Sequence, residues 1–188
     1  MGLGMGHGIK TAAILALTLA LAACASGTMA PPPPARVNVS SLPAAASAAA
    51  QSADPLASAV LAAVNGYRAS HDVPALANDG ALQRAAAVHS ADMSIRNFTG
   101  HFNPDGQGPQ ERVTAVMPGF NSDLAENIAV VGGLGGQPVD AIAAELLKKW
   151  VASPMHRKNI RGASYTRSGV GIARKGDTIY ATELFAGP

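Results

Sequence analysis

The C-terminal run "SGVGIARKGDTIYATELFA", residues 168–186, restricts this chain more than any other stretch. Two segments of strand-forming residues flank a Lys-Gly-Asp turn signal, the pattern of a β-hairpin. Both segments are apolar enough to be central strands buried on two faces rather than on alternate residues only. Such a hairpin needs cover on both sides, and the rest of the chain offers helices. No β-α-β rhythm accompanies it. The prediction is an α+β domain with an antiparallel central sheet flanked by helices.

Asp54 and Pro55 read as N-cap and first position of a helix that continues through Leu56, Val60, Val64 and Tyr67. A second helix is predicted over 80–97, with Leu82, Ala85, Ala86, His89 and Met93 on one face. A short helix follows over 109–116, and "DLAENIAVV", 123–131, is a short strand region. Val139, Ile142, Leu146 and Trp150 give a helix over 138–152, after which Ser153 and Pro154 cap and start another. Hydrophobic residues make up 48% of the chain but aromatic ones only 4%, so the core must be built from alanine and a few Leu, Ile and Val. Trp150, the single tryptophan, is the expected packing anchor.

The N-terminal part reads differently. Lys10 precedes "TAAILALTLALAA", an apolar run too short for a comfortable bilayer span but suited to a signal-peptide core. It ends in "LAAC", Leu21 to Cys24, which resembles a bacterial lipobox. On that reading residues 1–24 are a lipoprotein signal peptide, and Cys24 carries the lipid that holds the chain to a membrane. The other reading is an ordinary secretory peptide in which Cys24 is incidental. Residues 25–54, rich in Ala, Pro and Ser, read as a disordered tether, leaving 55–188 as the globular domain. Cys24 is the only cysteine, which excludes a disulfide framework, Cys-ligated zinc and a Cys nucleophile from that domain. A net charge of +2 with 14% charged residues offers no basic stripe for nucleic acid.

Three polar residues stand out in the domain. His101 lies in a Gly-bounded loop, Glu126 interrupts an apolar strand, and His156 occupies a first helical turn. There a helix dipole should lower its pKa and keep the imidazole neutral. They are 25 and 30 residues apart, so no local spacing joins them. His89, on an apolar helix face, reads as a core histidine bonded to a backbone group. The chain has no H-E-x-x-H, no G-x-S-x-G and no phosphate-binding Gly loop.

In order along the chain, "AVHSADM", "GHFNPDG", "AENIA", "W-x-x-SPMHRKNI", "SGVGIA" and "YATELF" resemble the bacterial branch of the CAP superfamily (cysteine-rich secretory, antigen 5 and pathogenesis-related-1 proteins). The resemblance covers about 55–187 and implies an α-β-α sandwich. It also implies a central cleft formed by His101, Glu126 and His156. The family's second acid, three positions after the tryptophan, is replaced here by Ser153; Glu145 precedes the tryptophan and does not match. Two imidazoles and a carboxylate suit a divalent metal, zinc above all, with His101, His156 and Glu126 as ligands. The family also suggests small apolar ligands such as lipids. The expected function is that of an anchored, extracytoplasmic envelope lipoprotein binding a metal or apolar ligand. Ala25 after Cys24 favours an outer membrane where the cell has one. The alternatives are a metal-dependent hydrolase acting on peptide or cell-wall material, and a structural envelope lipoprotein with a vestigial cleft. No nucleophile is identifiable, and the sequence leaves the ligand and the oligomeric state open.

Overall fold

The computed structural model describes residues 54–188 and the first two residues. The apolar leader, Cys24 and the tether up to residue 53 lie outside the described residues. Among the described residues no helix is long and apolar enough to cross a membrane.

Five helices and four strands follow in the order α1 (Pro55–Ala69), β1 (Ala77–Asn78), α2 (Gly80–Arg96), α3 (Pro109–Val116), β2 (Leu124–Val131), α4 (Val139–Ala152), α5 (Pro154–Ile160), β3 (Arg167–Lys175) and β4 (Thr178–Ala186). Their ends obey local chemistry. Asp54 accepts from Leu56 N at 2.9 Å, and Asp79 accepts from Ala81 N and Leu82 N at 2.9 and 3.1 Å, so each carboxylate satisfies amide donors that the first helical turn leaves free. The β3–β4 hairpin turns at Gly176, whose φ of +60° is the left-handed conformation a tight turn demands.

The sheet order is β1-β3-β4-β2. β3, β4 and β2 are antiparallel neighbours, as expected. The two-residue β1 adds a parallel pairing on the outer edge of β3, where the loop between α1 and α2 runs beside that strand. The strands alternate between two packed faces. On one, Val170, Ile172, Ala181 and Phe185 meet α1 and α4 around Trp150. On the other, Leu184 and Ala186 meet α2 and α3. Helices therefore cover both sheet faces, an α-β-α sandwich.

The α2 face is packed unusually closely. A Cβ on Gly169 would lie 2.0 Å from Gln83 N, and one on Gly171 2.0 Å from Ala87 N. Glycine at both positions lets helix backbone rest directly on strand backbone. Ser90 then donates to the Gly171 carbonyl at 2.9 Å, and the Thr182 hydroxyl stands 2.9 Å from the same Oγ. The sequence pattern placed a single stripe of α2 in the core, whereas Ala85 through Ser94 are all buried. Small side chains let the sheet lie on one side of the helix and α3 with its loop on the other.

Two buried ionisable groups sit on the α1–α4 side. Arg68, fully buried, donates to the carbonyls of Pro74, Ile160, Gly162 and Tyr165 at 2.7, 2.7, 3.0 and 3.1 Å, tying α1 to the chain between α5 and β3. Glu183, also fully buried, accepts from Ser168 Oγ at 3.0 Å. Burial pushes its carboxyl up to about 8, against the opposing effects of the Ser168 hydrogen bond and the Arg68 charge.

Gly171→Ala should destabilise the domain by more than about 4 kcal/mol. Gly66→Ala, in a helix interior with open space around the position, should stabilise it by roughly 0.5–1 kcal/mol. Chemical denaturation of the two variants measures both. Glu183 gives a pH signature. From about 4.5, its ordinary value, up to about 8, the unfolded chain releases a proton that the folded chain keeps, so its contribution to stability falls as pH rises. Glu183→Gln should therefore melt above the parent at pH 8, with the gap closing towards pH 4.5, as read by thermal melts across that range.

Candidate functional site

Glu126 lies on β2 with its side chain on the α2–α3 face of the sheet, 6% exposed. A carboxylate so deeply placed needs charged or hydrogen-bonding partners, and two reach it. Arg112 on α3, 3% exposed, places Nη2 2.5 Å from Oε2. His101 places Nδ1 2.9 Å from Oε1. Burial alone would raise the Glu126 pKa, but the His101 hydrogen bond and the Arg112 charge outweigh it and hold the carboxyl below its ordinary value. With Glu126 ionised, His101 Nδ1 carries the donated hydrogen, and its Nε2 is the ring nitrogen left for other chemistry.

The loop carrying His101 is held from three directions. His89 on α2, fully buried, donates from Nε2 to the Gly100 carbonyl at 2.9 Å. Arg112 Nη1 donates to the carbonyls of His101 and Gln107 at 3.0 and 2.9 Å. Asn103 folds the loop back, its Oδ1 accepting from Asp105 N at 3.1 Å and Gln107 N at 2.9 Å. Burial, then the Arg112 charge, lowers the His89 pKa to about 4, so His89 is neutral at pH 7. The expectation of a core histidine bonded to backbone holds, and the residue it bonds directly precedes His101.

His156 arrives from the opposite direction, and the free edge of β2 explains why. An edge strand exposes unpaired backbone groups. Here Trp150 Nε1 donates to the Ile128 carbonyl at 3.0 Å, and Asn159 Nδ2 donates to the Glu126 carbonyl at 3.3 Å. Asn127 Nδ2 in turn donates to the His156 carbonyl at 3.1 Å, while its Oδ1 accepts from Asn159 Nδ2 at 2.9 Å. The α4–α5 corner is thus stitched along the edge. Its seam brings the His156 ring to 6.4 Å from that of His101, edge to face. Ser153 caps α5, with His156 N 3.5 Å from its Oγ. The His156 pKa is lowered, as expected, but by partial burial first and then by the His101 and Lys149 charges.

The structure therefore brings His101, Glu126 and His156 into one neighbourhood. Among the described residues, however, no group of three or more His, Cys, Asp or Glu side chains is arranged to hold a metal. Both Glu126 oxygens are already engaged, and ligation through them would require releasing Arg112 or His101. Sequence reasoning missed Arg112, Asn127 and Asn159. The available signal was the charged residue inside an apolar strand, which implied a buried cation somewhere without saying which one.

A model of the cysteine-rich secretory protein family, CAP, matches residues 61–186. This chain belongs to the CAP family. A Bacillus subtilis (strain 168) relative, the uncharacterized protein YkwD, is 29% identical over 117 residues, covering 62% of this chain and 42% of that protein. An extracellular SCP-domain protein from Bacillus anthracis is 30% identical with a TM-score of 0.59, over 71% of this chain and 40% of that one. This chain thus spans about 40% of the length of these relatives. A structure described as NaASP2 with Zn2+ shares the CAP fold at a TM-score of 0.53 and 13% identity, over 70% of this chain and 80% of that one.

Arg112→Ala should destabilise the domain by about 3–5 kcal/mol, because it leaves a buried carboxylate without its cation. Arg112→Ala combined with Glu126→Gln should recover part of that loss. Urea denaturation of the two variants against the parent measures both effects.

Proposed function

We propose that this CAP domain belongs to a lipid-anchored envelope protein, held through Cys24, that binds rather than transforms its ligands. Its His101–His156 pair takes a divalent metal, zinc in the first place. The observation that carries the metal reading is the His101 Nδ1–Glu126 hydrogen bond at 2.9 Å. A carboxylate on one imidazole nitrogen orients the ring and raises the basicity of the other nitrogen towards a metal. Glu126 then acts behind the ligand and His101 Nε2 in front, with His156, kept neutral by its lowered pKa, as the second ligand. This donor set fits zinc as a two-histidine site. Zinc bound there would supply Lewis acidity and open coordination positions. This chain's own residues orient the imidazoles, and partial burial favours the neutral form of His156. That a CAP-fold protein was crystallised with Zn2+ is consistent with this assignment.

A separate feature supports an apolar ligand. A groove of about 480 Å³ runs between α1 and α4, lined by Ala59, Ala63, Tyr67, Ala143, Leu147 and Val151 among others. None of its lining residues belongs to the histidine site. Metal and apolar ligand therefore need not compete for one cleft. Ser153 is used as the α5 cap, and no nucleophile is assigned.

Titration calorimetry with zinc tests the metal reading. The parent should bind stoichiometrically at pH 7.5, and binding should weaken as pH falls through the histidine range. His101→Ala with His156→Ala should abolish it, and Glu126→Gln should weaken it by about 10–100-fold. Undiminished zinc affinity in the double variant would overturn the reading.

A further inference from the structure

From residue 146 to residue 176 the chain carries eight Lys and Arg residues and no Asp or Glu. Four of these cations are spoken for. Lys148 pairs with Glu145, Arg167 with Asp79 and Arg174 with Asp54, while Lys175 bonds Asn97. Among the described residues, Lys149, Arg157, Lys158 and Arg161 have no carboxylate within salt-bridge reach. The last three gather in one place. With Pro154, Asn159, Ser164 and Tyr165 they line an open groove of about 490 Å³, into which no acidic residue faces. Arg157 is anchored by donating to the Val151 carbonyl at 2.6 Å, whereas Lys158 and Arg161 are exposed. Beside them Met155, on the same short helix, is 71% exposed.

We infer that this groove, with the exposed Met155 beside it, docks the CAP domain onto a membrane surface bearing anionic phospholipids. Unpaired cations are attracted to headgroup phosphates, and large exposed apolar side chains are favoured at the headgroup–acyl boundary. Together they are the signature of interfacial binding. Charge complementarity selects an anionic surface over a neutral one. The choice of a membrane rests on the anchored reading above. Counted from Cys24, about thirty residues precede α1, which at full extension reach at most ~100 Å, so the domain can meet the surface that holds its own lipid. Docking in this pose would lay the Pro154–Arg157–Lys158–Arg161 face of α5 against the headgroups, with His156 on the opposite side of that helix.

Co-sedimentation with vesicles tests the inference. The full chain is made with Cys24→Ser, so that acylation contributes to no measurement and failure of the anchor reading leaves the result interpretable. Partition is compared between vesicles of phosphatidylcholine alone and vesicles of equal parts phosphatidylcholine and phosphatidylglycerol. The ratio cancels any charge-independent binding by the apolar N-terminal run. A preference for phosphatidylglycerol is expected. Lys158→Glu with Arg161→Glu should reduce it by about 25-fold or more, and high salt should abolish it. Arg84→Glu with Lys175→Glu, the same charge change at exposed positions that line neither groove, should leave it unchanged. Equal partition to both vesicles would overturn the proposal. So would a preference that survives the groove variant, or one lost equally in the control variant.

Discussion

The buried charge of Glu126 is the constraint around which the site is built. An ionised carboxylate inside a sandwich is tolerated only where fixed partners replace its water. Arg112 and His101 are those partners, and they come from α3 and the loop before it. Arg112 binds both the carboxylate and the carbonyls of the loop that presents His101. One guanidinium therefore sets the charge balance and the position of the imidazole together. The orientation of the His101 ring is inseparable from the stability of this pair.

The two sheet faces and the free edge divide the remaining work. Gly169 and Gly171 bring α2 backbone onto β3, which places His89 where it can hold Gly100, one residue from His101. The α1–α4 face supplies the larger apolar core and the buried Trp150. The β2 edge is closed by side-chain donors from α4 and α5 rather than by another strand, and this closure carries His156 to the site. The two imidazoles thus reach each other by independent routes, one over the sheet face and one around its edge.

This geometry changes what the three site residues mean. Counted as chemical types, two histidines and a glutamate suggest a three-ligand metal site. With both carboxylate oxygens committed, the same residues read as two imidazoles and an orienting acid. The lowered pKa of His156 has a similarly different origin. Its position in a first helical turn gave the right direction, but partial burial and the neighbouring His101 and Lys149 are the causes, and these arise only after folding.

Local signals in the sequence determined a great deal. Asp54-Pro55 and Ser153-Pro154 marked helix starts because capping depends on residues within one turn. The Lys-Gly-Asp hairpin and its two-sided apolar strands required a covered antiparallel sheet, because such strands cannot face water. The same local logic identified His101, Glu126 and His156 as residues out of keeping with their surroundings. What only the tertiary structure decided was which groups meet. Arg112 rather than another cation reaches Glu126, Asn159 and Trp150 close the β2 edge, and Gly171 receives the backbone of α2. Those pairings join positions far apart in the chain. They are chosen by packing and by the need to satisfy buried polar groups, neither of which leaves a mark on the spacing of residues.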